Sequence, residues 1–172
     1  MNLLNYIRDI PDFPKKGIIF KDITPLLKNP LAYTFLIDSY YKRYKDKKID
    51  KIIGIEARGF IIGSSLATRL NCGFVPIRKS GKLPFSVYKK TYSLEYGTDS
   101  IELHSDAIDK NDNILIVDDV LATGGTINAA IKLVKMFECN LIECCFMIEL
   151  SFLNGRMNIE IEKTNYFSLL KL

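Results

Sequence analysis

The chain has no tryptophan and a single histidine, His104, among 172 residues. One histidine beside four cysteines leaves too few soft ligands for a zinc site, and none of Cys72, Cys139, Cys144 and Cys145 belongs to a C-x-x-C pair. Cys144 and Cys145 sit side by side in the apolar run LIECCFMIEL and are expected to be small core residues. A reduced, cytoplasmic setting is the default expectation for such cysteines. Uncharged apolar runs of membrane-spanning length are missing, and so is an apolar N-terminal stretch with a small-residue cleavage site. Neither a membrane partner nor a secretory leader is therefore expected. Repeats, low-complexity tracts and linkers are also lacking. Neither sign of charge dominates: 24 Lys and Arg face 20 Asp and Glu, for a net +4. That surplus is too small for a nucleic-acid-coating protein but suits a small anionic substrate.

What the chain does have is an alternation of short apolar runs with helical patterns. Residues 29–47 read as a helix, with Asn29 as N-cap, Pro30 at the first helical position, Tyr33, Ile37, Tyr40 and Tyr44 at helical spacing, and Lys and Arg at the end. Residues 51–55 (KIIGI) read as a strand, 59–71 as a helix packed closely through Gly63 and Ser64, and 73–77 as a second strand. A basic loop, RKSGKLP, spans 78–84. Residues 99–108 alternate Ile101 and Leu103 with polar neighbours, as a half-exposed antiparallel strand does. Residues 113–119 (NILIVDD) read as a strand buried on both faces, and 125–138 as a helix with Ile127, Ile131 and Val134 on one side. Residues 141–150 and 166–172 read as the last strands. This order predicts an α/β fold, a mainly parallel central sheet flanked by helices on both faces. Ligands in such sheets lie beyond the carboxyl ends of the strands. That rule selects EARG after residue 55, RKSGK after 77, DDVLATGG after 117 and ELSFLNG after 148.

The segment DDVLATGGT (118–126) carries the sharpest chemistry. Gly124 and Gly125 allow a tight turn and a close approach of backbone to ligand. The amides of residues 122–126 line the start of a helix, an anion site for which phosphate is the usual guest, and Thr123 and Thr126 add hydroxyl donors. Asp118 and Asp119 would repel a phosphate, so they are expected to face hydroxyls or a Mg²⁺ ion. A sugar phosphate meets both demands, with phosphate on the amides and ring hydroxyls on the acids.

ILIVDDVLATGGT (114–126) resembles the phosphoribosyl-pyrophosphate signature of the type I phosphoribosyltransferases. PDFPKKGIIFKDITPLL (11–27), EARGF (56–60), RKSGKLP (78–84), YSLEYGTDSIELHSDAI (92–108) and YFSLL (166–170) resemble, in order, segments of the adenine-specific members. The resemblance covers nearly the whole chain. It implies the type I phosphoribosyltransferase fold over residues 1–172, with a small N-terminal hood at about 1–28 and a flexible flap at about 82–97. The reaction implied is adenine plus phosphoribosyl pyrophosphate giving AMP and pyrophosphate, in a cytoplasmic homodimer of purine salvage. Mg²⁺ is expected to enter with the substrate, without direct protein ligands.

Residue by residue, Ala122, Thr123, Gly124, Gly125 and Thr126 match the 5′-phosphate cup, and Asp118 and Asp119 the acids on the ribose hydroxyls. Arg58, Lys79, Lys82 and Tyr96 match positions around pyrophosphate. Glu95, in LEYG, matches the glutamate that takes the proton as purine N9 attacks the sugar, which makes Glu95 and Arg58 the catalytic candidates. Backbone groups of Ile19 and Lys21 match the reader of adenine's amino edge, with Phe20 nearby and Leu150 against the base. The residues alone leave other readings open. Arg58 could bridge to Glu56 or a neighbour, Lys79 and Lys82 could be solvated loop charges, and Phe20 and Leu150 could be plain core. Hypoxanthine and guanine enzymes resemble this cup but carry an aspartate where Ala122 stands; xanthine enzymes can share the alanine, so the segment at 11–27 favours adenine. Two departures are Lys16, where the family often has proline, and Lys21, where many members have arginine. Two further readings are a nucleic-acid-binding regulator on the same fold, for which a strongly basic face is lacking, and a Mg²⁺-dependent phosphohydrolase. If Glu95 is the proton acceptor, Glu95→Gln lowers turnover more than substrate affinity in steady-state kinetics; unchanged turnover removes Glu95 from the reaction.

Overall fold

The computed structural model describes residues 1–93 and 98–172. Their contacts cluster into two compact units, Met1–Lys45 and Asp46–Leu172.

In the first unit β1 (Arg8–Ile10) pairs antiparallel with β2 (Phe20–Asp22), placing Asp9 opposite Lys21. Ion pairs reinforce that register: Arg8 to Asp22 at 2.6 Å and Lys21 to Asp9 at 2.8 Å. Two tiny strands in a stretch rich in Pro and Lys leave no alternating pattern, and the sequence did not predict them. A short α1 (Thr24–Leu27) precedes α2 (Pro30–Tyr44). The predicted cap is present: the Asn29 side chain accepts from the Ala32 amide at 3.0 Å, while Pro30 sits where its missing N–H costs nothing. Ala32, Leu36, Ile37, Tyr40 and Tyr44 form the buried stripe of this helix.

The second unit runs β3 (Lys51–Ile55), α3 (Arg58–Leu70), β4 (Gly73–Lys79), β5 (Val87–Ser93), β6 (Thr98–His104), β7 (Asn113–Leu121), α4 (Gly125–Val134), β8 (Asn140–Glu149), α5 (Met157–Ile161) and β9 (Tyr166–Lys171). Seven strands form one sheet in the order β5-β6-β4-β3-β7-β8-β9. The five from β4 to β9 are parallel, and β6 and β5 close one edge antiparallel. β6 meets β4 only at Arg78 and Lys79, beyond Pro76, which has no N–H for a ladder. The loop predicted at 78–84 therefore starts only after residue 79, because Arg78 and Lys79 still belong to β4. β7 is longer than the predicted 113–119 because it carries Val120 and Leu121 beside β8, and α4 ends at Val134 instead of reaching 138. Strand β5 and helix α5 have no counterpart among the predicted elements.

Alternation sorts the sheet into two faces. Ile53, Ile55, Ile114 and Ile116 share a core with Ile127, Ala130, Ile131 and Val134 of α4. Ile52 and Gly54 face the other way, towards Gly63 of α3. Helices thus cover both faces, as expected of a sheet built from right-handed crossovers. The β3–α3–β4 crossover moves one way along the sheet and β7–α4–β8 the other, so the strand order reverses between β3 and β7. Their carboxyl ends flank the crevice that this topology leaves open.

Three glycines let α3 lie against the sheet. A Cβ on Gly54 would sit 2.7 Å from Phe74 Cε2, and one on Gly63 would sit 3.0 Å from the same atom. At Gly59 the obstacle is backbone: a Cβ would lie 2.7 Å from the Val117 carbonyl oxygen and 3.0 Å from Asp118 Oδ1. Gly59→Ala is therefore expected to cost about 1–3 kcal/mol, as overpacking against a rigid neighbour does, read as a lower urea midpoint. An unchanged midpoint would show that α3 can shift freely.

Candidate active site

The end of β7 turns through Ala122, Thr123 and Gly124 into α4. Gly124 has φ +84°, a left-handed backbone that glycine adopts without strain, and it caps α4 with no side chain. The first-turn amides of α4 have no internal partner and are left for an outside acceptor, which is where the sequence placed a phosphate. A cleft of about 430 Å³ opens beside this turn, lined by Tyr92, Thr123, Gly125, Asn128, Lys132 and Asn158 among others.

Asp118 and Asp119 stand on the approach to the turn. Asp119 is buried at 4% exposure, and Arg58, opening α3, places its Nε 2.8 Å from Asp119 Oδ2. The contact is an ion pair more than an aligned hydrogen bond, since Oδ2 meets no donor at bonding geometry. Of the alternatives for Arg58, the pairing with a neighbour is present. The Asp119 amide donates to Asp118 Oδ1 at 2.9 Å. Burial, and then the neighbouring Asp119 charge, push the Asp118 carboxyl well above the ordinary carboxylate range. Burial lifts Asp119 too, against the opposing pull of Arg58. Two adjacent acids with one cation between them form a site that gains when hydroxyl donors or a cation arrive.

The basic loop is held by acids. Glu56 accepts from the Lys79 amide at 2.9 Å and from Lys82 Nζ, with Arg78 Nε at 3.4 Å. Burial raises the Glu56 carboxyl, but Lys82, the Lys79 amide and Arg78 together outweigh it and hold it below its usual value. Glu102, buried on β6, accepts from Ser80 Oγ and from the Gly81 amide at 2.9 Å. Lys79 Nζ lies 2.9 Å from Asp99, which keeps the ammonium raised and the carboxylate lowered. Lys79, at the end of β4, and Lys82, in the loop, are thus paired ions that remain partly exposed. Tyr92 links this cluster to the turn, receiving the Thr126 hydroxyl at 3.3 Å and reaching Asp99 at 3.5 Å.

The structure therefore brings Arg58, Asp118 and Asp119 together, and connects Thr126 to Lys79 and Lys82 through Tyr92, Asp99 and Glu56. Leu150 follows β8, half-buried, its amide donating to the Leu121 carbonyl at 2.9 Å. Ile19, Phe20 and Lys21 lie in the N-terminal unit: Ile19 is exposed, Phe20 packs edge-on against Phe13 at 5.2 Å between centroids, and Lys21 pairs with Asp9. Glu95 and Tyr96 lie outside the described residues. Sequence reasoning missed Asp99, Tyr92 and Glu102. An alternating strand gives no sign of which acid turns towards a distant loop; the pairing of β4 with β6 places Glu102 there, and that of β5 with β6 sets Tyr92 beside Asp99. Among the described residues no group of three or more His, Cys, Asp or Glu side chains could hold a metal ion.

A model of the phosphoribosyl transferase domain matches residues 22–169. The adenine phosphoribosyltransferase of Geotalea daltonii is 57% identical over 169 residues, covering 98% of each chain. The crystal structure of adenine phosphoribosyltransferase from Thermoanaerobacter pseudethanolicus superposes with a TM-score of 0.94 at 48% identity, over 99% of this chain and 98% of that one. The Saccharomyces cerevisiae enzyme, complexed with an imino-altritol bisphosphate and adenine, superposes with a TM-score of 0.92 at 43% identity, over 98% and 96%.

The raised Asp118 carboxyl has a consequence for stability. The folded chain binds a proton there more tightly than the unfolded chain, so ionising it costs stability as pH rises from about 4, the ordinary carboxylate value. Asp118→Asn is expected to melt above the wild type at pH 8, with the gap closing towards pH 4, in scanning calorimetry. A lower melting point at pH 8 would contradict the assignment.

Proposed function

The chain belongs to the phosphoribosyl transferase family, and from that premise we propose that its strand-end site moves the 5-phosphoribosyl group of phosphoribosyl pyrophosphate onto N9 of adenine, releasing AMP and pyrophosphate. It is a pentosyltransferase of purine salvage. The observation that carries this reading is the open amide turn at Gly124–Gly125 adjoining the Asp118–Asp119 pair. One end grips an anion and the other hydroxyl groups, which is the pattern of a sugar 5-phosphate.

In the reaction N9 of adenine attacks the sugar's anomeric carbon, the bond to pyrophosphate oxygen breaks, and the ring proton passes to a base. Positive charge grows on the sugar while a polyanion departs. Ala122 to Thr126 hold the 5′-phosphate, and Asp118 and Asp119 orient the ring hydroxyls. Arg58, Lys79 and Lys82 face the leaving group, with fixed charge doing most of the stabilisation. The lysines come from ion pairs with Asp99 and Glu56, so their capture by pyrophosphate is an exchange of partners. Glu95 is the proposed base and Tyr96 a flap contact to pyrophosphate. Ile19, Phe20, Lys21 and Leu150 supply the adenine contacts, within an organisation of one domain carrying a hood at about 1–28 and a flap at about 82–97. The lack of an aspartate at Ala122 speaks against hypoxanthine and guanine, and the segment at 11–27 favours adenine.

Two adjacent carboxylates are too few to hold an ion alone, so Mg²⁺ would arrive bound to the substrate, without direct protein ligands. Bound there, Mg²⁺ would neutralise the leaving pyrophosphate. Asp118 and Asp119 are the residues that would face it. We further place the enzyme in the cytoplasm as a homodimer; its cysteines are free, and no described helix is long and apolar enough to cross a membrane.

The test mixes the protein with phosphoribosyl pyrophosphate, Mg²⁺ and each purine in turn. AMP and pyrophosphate are expected from adenine, with little nucleotide from hypoxanthine or guanine. Release of inorganic phosphate without nucleotide would make the site a phosphohydrolase, and equal use of 6-oxopurines would overturn the base assignment.

A further inference from the structure

A five-residue segment of the chain, residues 154–158 (NGRMN), packs against the turn assigned above to phosphate. Asn158 Nδ2 donates to the Thr123 carbonyl at 2.8 Å, and the Asn158 carbonyl accepts from Asn128 Nδ2, in the second turn of α4, at 3.0 Å. Between these two bonds the backbones touch with no room for side chains. A Cβ on Gly155 would lie 2.1 Å from the Ala122 carbonyl oxygen, and one on Gly124 would lie 2.4 Å from the Gly155 oxygen.

We propose that Asn158, seated by Gly155, is a positioning residue that aims the phosphate-binding amides. A three-residue turn containing a left-handed glycine has other backbone states within easy reach. An amide array holds an anion only while its N–H vectors converge. In a trans peptide the C=O and the following N–H point in opposite directions. Fixing the Thr123 oxygen on Asn158 therefore turns the Gly124 N–H away from the brace, and the second bond, through Asn128, locks that orientation to the helix. Without the Asn158 donor the Thr123–Gly124 peptide is free to rotate, and the turn must be ordered by the ligand at the ligand's expense. This inference rests on the reading of Ala122–Thr126 as the phosphate site.

Asn158→Ala and Asn158→Leu test it; leucine keeps the bulk and removes the donor. The KM for phosphoribosyl pyrophosphate and the Kd for AMP are expected to rise about five- to tenfold in both variants, the worth of one lost hydrogen bond to an ordered loop. The KM for adenine and turnover at saturation should stay within about twofold, since adenine and the transfer step do not touch the brace. Calorimetry on the same samples reports whether each variant is folded. An unchanged KM for phosphoribosyl pyrophosphate overturns the proposal, as does recovery of wild-type affinity by leucine, which would make Asn158 a spacer. A parallel rise in both KM values with a lower melting point also overturns it, because that marks general loosening. If the wild-type chain itself fails to bind AMP or ribose 5-phosphate, the phosphate reading fails and this inference falls with it. If only the variants match the wild type, the brace alone is wrong.

Discussion

The first turn of α3 lies so close to the end of β7 that no side chain fits between them at Gly59. That contact sets where Arg58 can be. One residue earlier in the chain than the glycine, it is delivered to Asp119 at 2.8 Å, across the crevice where the strand order reverses between β3 and β7. A helix held further off would leave Asp119 buried without its cation, a costly arrangement in a low-dielectric interior. The meeting of the arginine with the acid pair is therefore a consequence of one close backbone approach on a parallel sheet.

Charge around the site is arranged in reserve. Each cation assigned to the leaving group already has a carboxylate: Arg58 has Asp119, Lys79 has Asp99 and Lys82 has Glu56. Such pairing raises the Lys79 ammonium above its ordinary value and weakens the field that both lysines offer to a newcomer. A dianionic or more highly charged ligand can outcompete single carboxylates for them, whereas a neutral one cannot. The Asp118–Asp119 couple works in the opposite sense. Its ionisation is opposed by burial, so it destabilises the empty fold and is relieved when hydroxyl donors or a cation arrive. Stability given up at a binding site is a common feature of function.

Much of the framework was legible in the sequence because it depends on local rules. Asn29 and Pro30 announce α2, the run KIIGI announces β3, and Ile127, Ile131 and Val134 announce the buried side of α4. DDVLATGGT pointed to a phosphate turn because glycines, threonines and acids in that order suit little else, and the structure forms the turn there. The predicted strand ends were shorter than β4 and β7 because strands stop where their neighbours stop pairing. β1, β2 and β5 carried too little periodicity to stand out. Glu102, Asp99 and Asn158 were invisible as site residues because their partners are far away in the chain.

The sequence by itself determined which residues could hold a sugar phosphate, since amide turns, acid pairs and basic loops are properties of short segments. Tertiary structure alone decided which ions meet, how far β4 and β7 extend, and that residues 154–158 pack on the turn at 122–124. Those outcomes follow from strand order and from backbone approaches below side-chain width, and neither is written in any one segment.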